Sequence, residues 1–259
     1  MKKPNVLKEI LQFKQKEVKE RKKQVPLEEL KKLAEEKEVR DFRAEISARK
    51  RPLNLIAEVK RACPSQGLIR QNFELEKVVE IYSRHAQAIS VLTDEKFFQG
   101  KLEYLENTKE LTKLPVLRKD FIIDEYQVFE SKAFGADAIL LIAGALSKDR
   151  LRKLYGTAKS IGLQCLVEVH DSADVEKVLP AKPEIIGINN RDLETLATSI
   201  NTTTRLRNLL PGNSTIVSES GFGSESDLAQ VKGKVDAVLI GTAFMKEKDI
   251  EAKILEMGF

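Results

Sequence analysis

Tryptophan is absent from the 259 residues, and cysteine, histidine and methionine number two, two and three. Two cysteines, Cys63 and Cys165, cannot build a disulfide framework, so a reducing, cytoplasmic setting is the expectation. Two histidines and no metal-spaced cysteines leave no zinc site, and no metal is expected. Long apolar runs are missing as well. The longest, 138–146, is about half of what a membrane span needs. The first residues, Met1-Lys2-Lys3-Pro4-Asn5, lead into charged sequence with no apolar signal-peptide core, so neither export nor membrane attachment is expected. Eight prolines and 13 glycines are too few for a linker or a fibre. Hydrophobic residues (42%) and charged residues (32%) are what the chain has in quantity, as a globular protein does. The high charge with little Cys and Met also fits a heat-adapted protein.

The length admits two domains or one large α/β barrel. Charge divides the chain. Residues 1–51 carry 17 Lys and Arg against 10 Asp and Glu, whereas residues 52–259 carry 27 against 30. A basic head can signal nucleic acid. Here Lys8/Glu9, Lys16/Glu17 and Lys19/Glu20 interleave along a helical pattern, which favours a solvated face laced with ion pairs and no nucleic-acid partner. Val6, Ile10, Phe13 and Val18 mark a first helix. Leu27, Leu30, Leu33 and Ala34 mark a second, beginning at Pro26. A third is expected from Asp41 to Arg49, stopped by Pro52.

From Leu53 onward the texture changes. Eight short Val/Ile/Leu-rich runs begin near Leu55, Ala88, Val116, Ala138, Gln164, Ile185, Thr215 and Ala237, each followed by an amphipathic stretch. Ala138-Ile139-Leu140-Leu141-Ile142 is apolar without alternation, as strands buried on both faces are. Eight strand–helix units predict an α/β fold, a (β/α)₈ barrel over 52–259 with a helical extension over 1–51, forming a single domain. A doubly wound open sheet would need fewer strands or a chain reversal, and no Gly-x-Gly-x-x-Gly follows the first run.

Active sites of such barrels lie at the C-terminal ends of the strands. The runs end in Glu58 and Lys60; Lys119; Glu168, followed by His170; Asn189 and Arg191; Glu219 and Ser220; and Gly241-Thr242. A single Lys or Glu at a strand end is usually a solvated loop residue. Six runs ending this way at one rim form a stronger pattern, because charges facing a barrel interior are costly unless paired or used. Glu58, Lys60, Lys119, Glu168, Arg191 and Glu219 balance as three negative and three positive charges, as a mutually paired cluster would. Ser220-Gly221 and Gly241-Thr242 place small residues after the seventh and eighth runs, where barrels commonly hold a phosphate. His85 and Cys165 read as structural and His170 as a rim residue.

These blocks are recognisable. Ile56-Ala57-Glu58-Val59-Lys60-Arg61-Ala62-Cys63-Pro64-Ser65-Gln66-Gly67 resembles the first-strand signature of the indole-3-glycerol phosphate synthase family. Val91-Leu92-Thr93-Asp94, Leu117-Arg118-Lys119-Asp120-Phe121, Leu166-Val167-Glu168-Val169-His170, Gly187-Ile188-Asn189-Asn190-Arg191-Asp192-Leu193, Ser218-Glu219-Ser220-Gly221 and Leu239-Ile240-Gly241-Thr242 follow in order. The resemblance implies conversion of 1-(2-carboxyphenylamino)-1-deoxyribulose 5-phosphate to indole-3-glycerol phosphate, CO₂ and water, without a cofactor. It implies a catalytic set of Glu58, Lys60, Lys119, Glu168, Asn189, Glu219 and Ser220; the chemistry makes Lys119 the candidate acid at the carbonyl oxygen, Glu168 the candidate base, and either Lys60 or Lys119 the acid for loss of water. Cys63 stands where the family usually has Ser, and a thiol is the weaker donor; Ser65 is nearby. Thr242 stands where Ser is common and keeps the hydroxyl. Leu92, Phe121 and Leu140 are expected as apolar walls for the aromatic ring, Arg191 as a carboxylate holder, and Ser220, Gly221, Gly241 and Thr242 as the phosphate site. The expected ligand is one phosphorylated small molecule, and a monomer is the working expectation. Three rival readings are a phosphoribosylanthranilate isomerase, a Schiff-base aldolase using Lys60 or Lys119, and a non-catalytic barrel binding a partner through its basic head.

Overall fold

A strand buried on both faces needs a hydrophobic layer on each side, and a closed barrel wrapped in helices supplies both. The computed structural model describes residues 6–48, 51–192 and 195–259. Its barrel strands are β1 (Asn54–Val59), β2 (Ala88–Leu92), β3 (Val116–Lys119), β4 (Ala138–Ile142), β5 (Gln164–Val169), β6 (Ile185–Asn189), β7 (Thr215–Glu219) and β8 (Ala237–Ile240). Each lies parallel to its sequence neighbour, and β8 closes on β1 with Ala57 opposite Ile240. This is the (β/α)₈ barrel, with all eight strands at the expected runs.

Alternation along each strand divides its residues between two cores. Leu55, Ala57 and Val59 of β1 face the helices, as do Ile139 and Leu141 of β4. Ile56, Ala138, Leu140 and Ile142 pack inside the barrel with Leu117, Leu166 and Val217. The inward register that places Ile56 in this inner core continues to Glu58, so the upper end of the barrel is lined by the polar ends of the runs.

The extension forms α1 (Val6–Gln24), α2 (Leu27–Glu35) and α3 (Phe42–Ser47). Pro26 directly precedes α2, capping its start in an extended conformation. The third helix is shorter than expected: Ala48 is already extended, and Arg49 lies outside the described residues. The extension runs from one barrel mouth to the other. Val6, Leu7 and Ile10 of α1 border the C-terminal mouth. Leu30 of α2 packs with Tyr126 and Ala133 on a flanking helix, Glu125–Ala133. Phe42 and Ile46 of α3 are fully buried in the inner cluster. There the Arg43 main-chain N–H donates to Gln164 Oε1 at 2.7 Å, and its guanidinium to Thr215 Oγ1 at 3.2 Å. Both acceptors begin their strands, so α3 closes the N-terminal mouth.

Lys8, Lys16 and Lys19 of α1 are exposed, on the solvated face expected of them. Lys23 pairs with Glu20 at 2.8 Å on the surface, but Lys14 has no exposed surface. Its Nζ sits 2.9 Å from Asp94, 2.9 Å from Asp120 and 3.0 Å from Glu17. The helix crosses the barrel rim, and the carboxylates that follow β2 and β3 meet it there. A short antiparallel ribbon, Ala62–Cys63 with Gly67–Leu68, also follows β1. Two residues per strand are too few to show periodicity in sequence. Among the described residues, no helix is long and apolar enough to cross a membrane.

Candidate active site

Every residue expected at the site from sequence borders one pocket at the C-terminal mouth of the barrel. Glu58 and Lys60 come from the end of β1, Lys119 from β3, Glu168 from β5, Asn189 and Arg191 from β6, and Glu219 and Ser220 from β7. Cys63 and Ser65 arrive on the ribbon, their Sγ and Oγ atoms 3.3 Å apart. Leu92, Phe121 and Leu140 form an apolar side, with Phe98 tilted against Phe121 at 6.2 Å between ring centres. Gly221, Gly241 and Thr242 lie across from them.

The charges pair in two groups. Lys119 Nζ donates to Glu168 Oε2 at 3.0 Å and to Glu219 Oε2 at 2.7 Å. Lys60 pairs with Glu58 and lies 3.4 Å from the Thr242 hydroxyl. Arg191, the sixth member of the expected cluster, instead donates its Nη1 to the Leu196 carbonyl at 3.0 Å, while its main-chain N–H reaches Asn189 Oδ1. Two glycines make room for the carboxylates. A Cβ at Gly187 would collide with Glu219, and one at Gly241 with Glu58. After β7, Ser220 and Gly221 are both left-handed, with φ of 68° and 95°. This conformation is uncommon for a serine and marks a sharply turned segment at the pocket edge.

Burial sets the protonation. It disfavours charge on Lys119, but Glu168, Glu219 and Glu58 outweigh it and hold the lysine well above its ordinary value. Burial would also raise Glu168, yet Lys119 and His170 outweigh it and hold that carboxylate low. Glu219 goes the other way. Burial, aided by the nearby Glu168 charge, overcomes Lys119 and pushes it up to about 7. Two carboxylates around one ammonium thus divide into an ionised one and one that retains a proton near neutrality.

This division has a measurable consequence. An unfolded glutamate releases its proton at about pH 4.3, whereas folded Glu219 keeps it up to about 7. Its contribution to stability is therefore complete below the unfolded value and lost as pH rises through the folded one. Glu219→Gln removes this dependence. Its melting temperature relative to the parent should rise between pH 5 and pH 8, as read by thermal denaturation. A constant offset would mean that Glu219 is ionised throughout.

The other singled-out residues separate cleanly. Cys165 is buried in the outer core, and burial pushes its thiol up. His85 joins Glu251 at 2.8 Å across two outer helices. His170 lies just past β5, partly buried beside Glu168 and Asp174. Burial opposes its charge, but these two carboxylates prevail and push it up to about 10. The family resemblance implies that the extension covers the pocket, but sequence reasoning does not single out Val6, Leu7 and Ile10 of α1, nor Leu196 and Phe222, as its surface. The apolar stripe of α1 is visible in sequence, but a stripe shows that a face is covered and not what covers it.

The sequence model of the indole-3-glycerol phosphate synthase family matches residues 7–257. The indole-3-glycerol phosphate synthase of Geobacillus thermodenitrificans is 49% identical over 221 residues, covering 84% of this chain and 86% of that one. That of Thermoanaerobacter pseudethanolicus is 46% identical over 251 residues, covering 96% and 95%. Among solved structures, 3-hexulose-6-phosphate synthase from Salmonella typhimurium aligns with a TM-score of 0.62 at 14% identity, over 79% of this chain and 96% of that one, a likeness of fold alone. With the match running from α1 to the last helix, the chain belongs to the indole-3-glycerol phosphate synthase family.

Proposed function

We propose that Lys119 and Glu168 are the general acid and general base of this chain, with Lys60 as the second ammonium. The reaction they serve is that of the family. The chain is a carboxy-lyase of tryptophan biosynthesis, an indole-3-glycerol phosphate synthase acting on 1-(2-carboxyphenylamino)-1-deoxyribulose 5-phosphate. The ring carbon that bears the carboxylate attacks the ketone carbon of the sugar chain. The carbonyl oxygen gains charge, and an ammonium supplies both field and proton. CO₂ departs as the benzene ring regains aromaticity. The new hydroxyl is then protonated and leaves as water, while a base takes the proton released as the five-membered ring becomes aromatic.

The observation that carries this reading is Lys119 between two buried carboxylates in the pocket. Held as an ammonium, it is a proton donor and a poor Schiff-base nucleophile, which disfavours the aldolase reading. Glu58 positions Lys60, and Asn189 and Arg191 stand where substrate hydroxyls and the carboxylate would lie. Leu92, Phe121 and Leu140 face the aromatic ring, with Cys63 and Ser65 at the ribbon edge. Ser220, Gly221, Gly241 and Thr242 take the phosphate. The extension and barrel work as one domain, in a cytoplasmic monomer without a nucleic-acid partner; Lys14 and Arg21 of the basic head are engaged by carboxylates.

Because the chain has no tryptophan, the indole product is readily followed by fluorescence. The parent should generate that signal from the substrate, and Glu168→Gln should slow it by about 10²-fold or more. Near-normal turnover in the variant would remove Glu168 from the role of base.

A further inference from the structure

We propose that His170 is a proton relay, linking solvent to the Glu168–Lys119 pair from the side that the substrate does not occupy. The inference rests on the roles proposed for Glu168 and Lys119 and concerns how their protons are replenished.

Proton accounting creates the need. Carbon dioxide leaves from a carboxylate, so the substrate anion plus one proton gives product, CO₂ and water. Within the cycle one proton goes to the carbonyl oxygen at ring closure and one to the departing hydroxyl, and one comes back as the indole forms. The returned proton, captured by Glu168, can pass to Lys119 through the 3.0 Å hydrogen bond. The other must enter from outside in every turnover. With substrate in the pocket, whose lining includes Val6, Leu7 and Ile10 of α1, a proton arriving from that side would have to pass the substrate. Glu168 itself is 1% exposed.

The geometry supplies a second side. Glu168 uses Oε2 for Lys119, and its other oxygen, Oε1, lies 3.2 Å from His170 Nε2. His170 is two positions past Glu168, with Val169 between them, so the strand alternation brings both to the same side. His170 is not a wall of the pocket, yet its side chain keeps 13% of its surface in solvent. Its Nδ1 lies 3.5 Å from Asp174 Oδ2, and its main-chain N–H donates to the same oxygen at 3.2 Å. Asp174 is fixed in turn, with Lys177 at 3.4 Å and its own main-chain N–H donating to Asp171 at 2.8 Å. The groups facing the imidazole are therefore Glu168 from β5 and Asp174 from the following helix. Lys119 and Glu219 lie beyond the first, and Lys177 and Asp171 beyond the second. An imidazole with one nitrogen near a buried base, the other near an anchored and largely buried carboxylate, and part of its own ring in solvent can give a proton inward and regain one from water.

The test is His170→Asn, which keeps a polar side chain but cannot exchange a proton, with His170→Gln as a second shape. Single-turnover indole formation, kcat and KM are measured from pH 5.5 to 9, with and without added imidazole, beside thermal melts. The relay predicts that kcat falls about 10-fold or more, that KM is little changed, and that imidazole restores part of the lost rate. Parental rate with a parental pH profile in either folded variant overturns it. So does a slow variant with raised KM that imidazole does not rescue, which is the signature of a side chain that only props Glu168. Glu168→Gln run alongside separates the two levels. If Glu168→Gln stays active, the base assignment fails; if it is slow while His170→Asn is normal, only the relay fails.

Discussion

Lys119→Met is expected to lower kcat by at least about 10²-fold, the usual scale for loss of a positioned acid. The variant keeps the length of the side chain and removes the charge. The second ammonium of the pocket, Lys60, pairs with Glu58 on the β1 side and is held apart from the Glu168–Glu219 pair that Lys119 bridges. Substrate affinity should change less, since the apolar wall of Leu92, Phe121 and Leu140 and the turn at Ser220-Gly221 are untouched. The protein should also remain folded. Glu219 already retains a proton up to about pH 7, and without Lys119 it would hold that proton more tightly. One neutral and one ionised carboxyl can share a buried site where two anions cannot. Raising the pH would then not recover the rate, because the missing group is a donor. Fluorescence-detected turnover at several pH values checks all of this, and a near-normal kcat would remove Lys119 from the role of acid.

The barrel is legible in sequence because its strands are buried on both faces, and an unalternating apolar run as short as Ala138–Ile142 suits a strand of this kind. The polar ends of the runs are legible for the complementary reason. Glu58, Lys119, Glu168 and Glu219 interrupt apolar sequence at a depth where charge is tolerated only with partners. What sequence does not show is which partner. Arg118 stands next to Lys119, yet the strand alternation turns it outward, where it is fully buried against Asp120 at 3.0 Å and Glu130 at 2.9 Å. Arg191 reads as one more member of the charge cluster and instead braces the Leu196 carbonyl. Lys14 is not singled out by sequence, because helical periodicity reports only contacts three or four residues apart. Its decisive partners are at Asp94 and Asp120, brought near by barrel closure.

That lysine carries the second large prediction. Lys14, Asp94 and Asp120 have almost no exposed surface, so removing the ammonium takes from Asp94 the cation paired with it and leaves Asp120 with Arg118 alone. Breaking a buried pair in this way costs about 3–5 kcal/mol. In a chain of this size each kcal/mol moves the melting temperature by roughly 2–4 °C, so Lys14→Met should melt about 6–20 °C below the parent at neutral pH. The gap should also depend on pH with a definite sign. Burial works against the Asp120 charge, but Lys14 and Arg118 hold its carboxyl well below the ordinary range. That stabilisation is complete above the unfolded value of about 3.9 and disappears as the pH falls toward the lowered one. Burial likewise opposes the Lys14 charge, while Asp120, Asp94 and Glu17 hold its pKa above the ordinary value. Its stabilisation is complete below about 10.4 and is lost only in stronger alkali. The difference between parent and variant should therefore be widest from about pH 5 to 9 and narrow in acid. Because Asp120 Oδ1 also accepts the Phe121 main-chain N–H at 2.7 Å, the loss should reach the pocket wall and raise KM as well. A stability gap that is small, or that stays constant into acid, would mean that α1 is held to the rim by its apolar stripe rather than by this ion cluster.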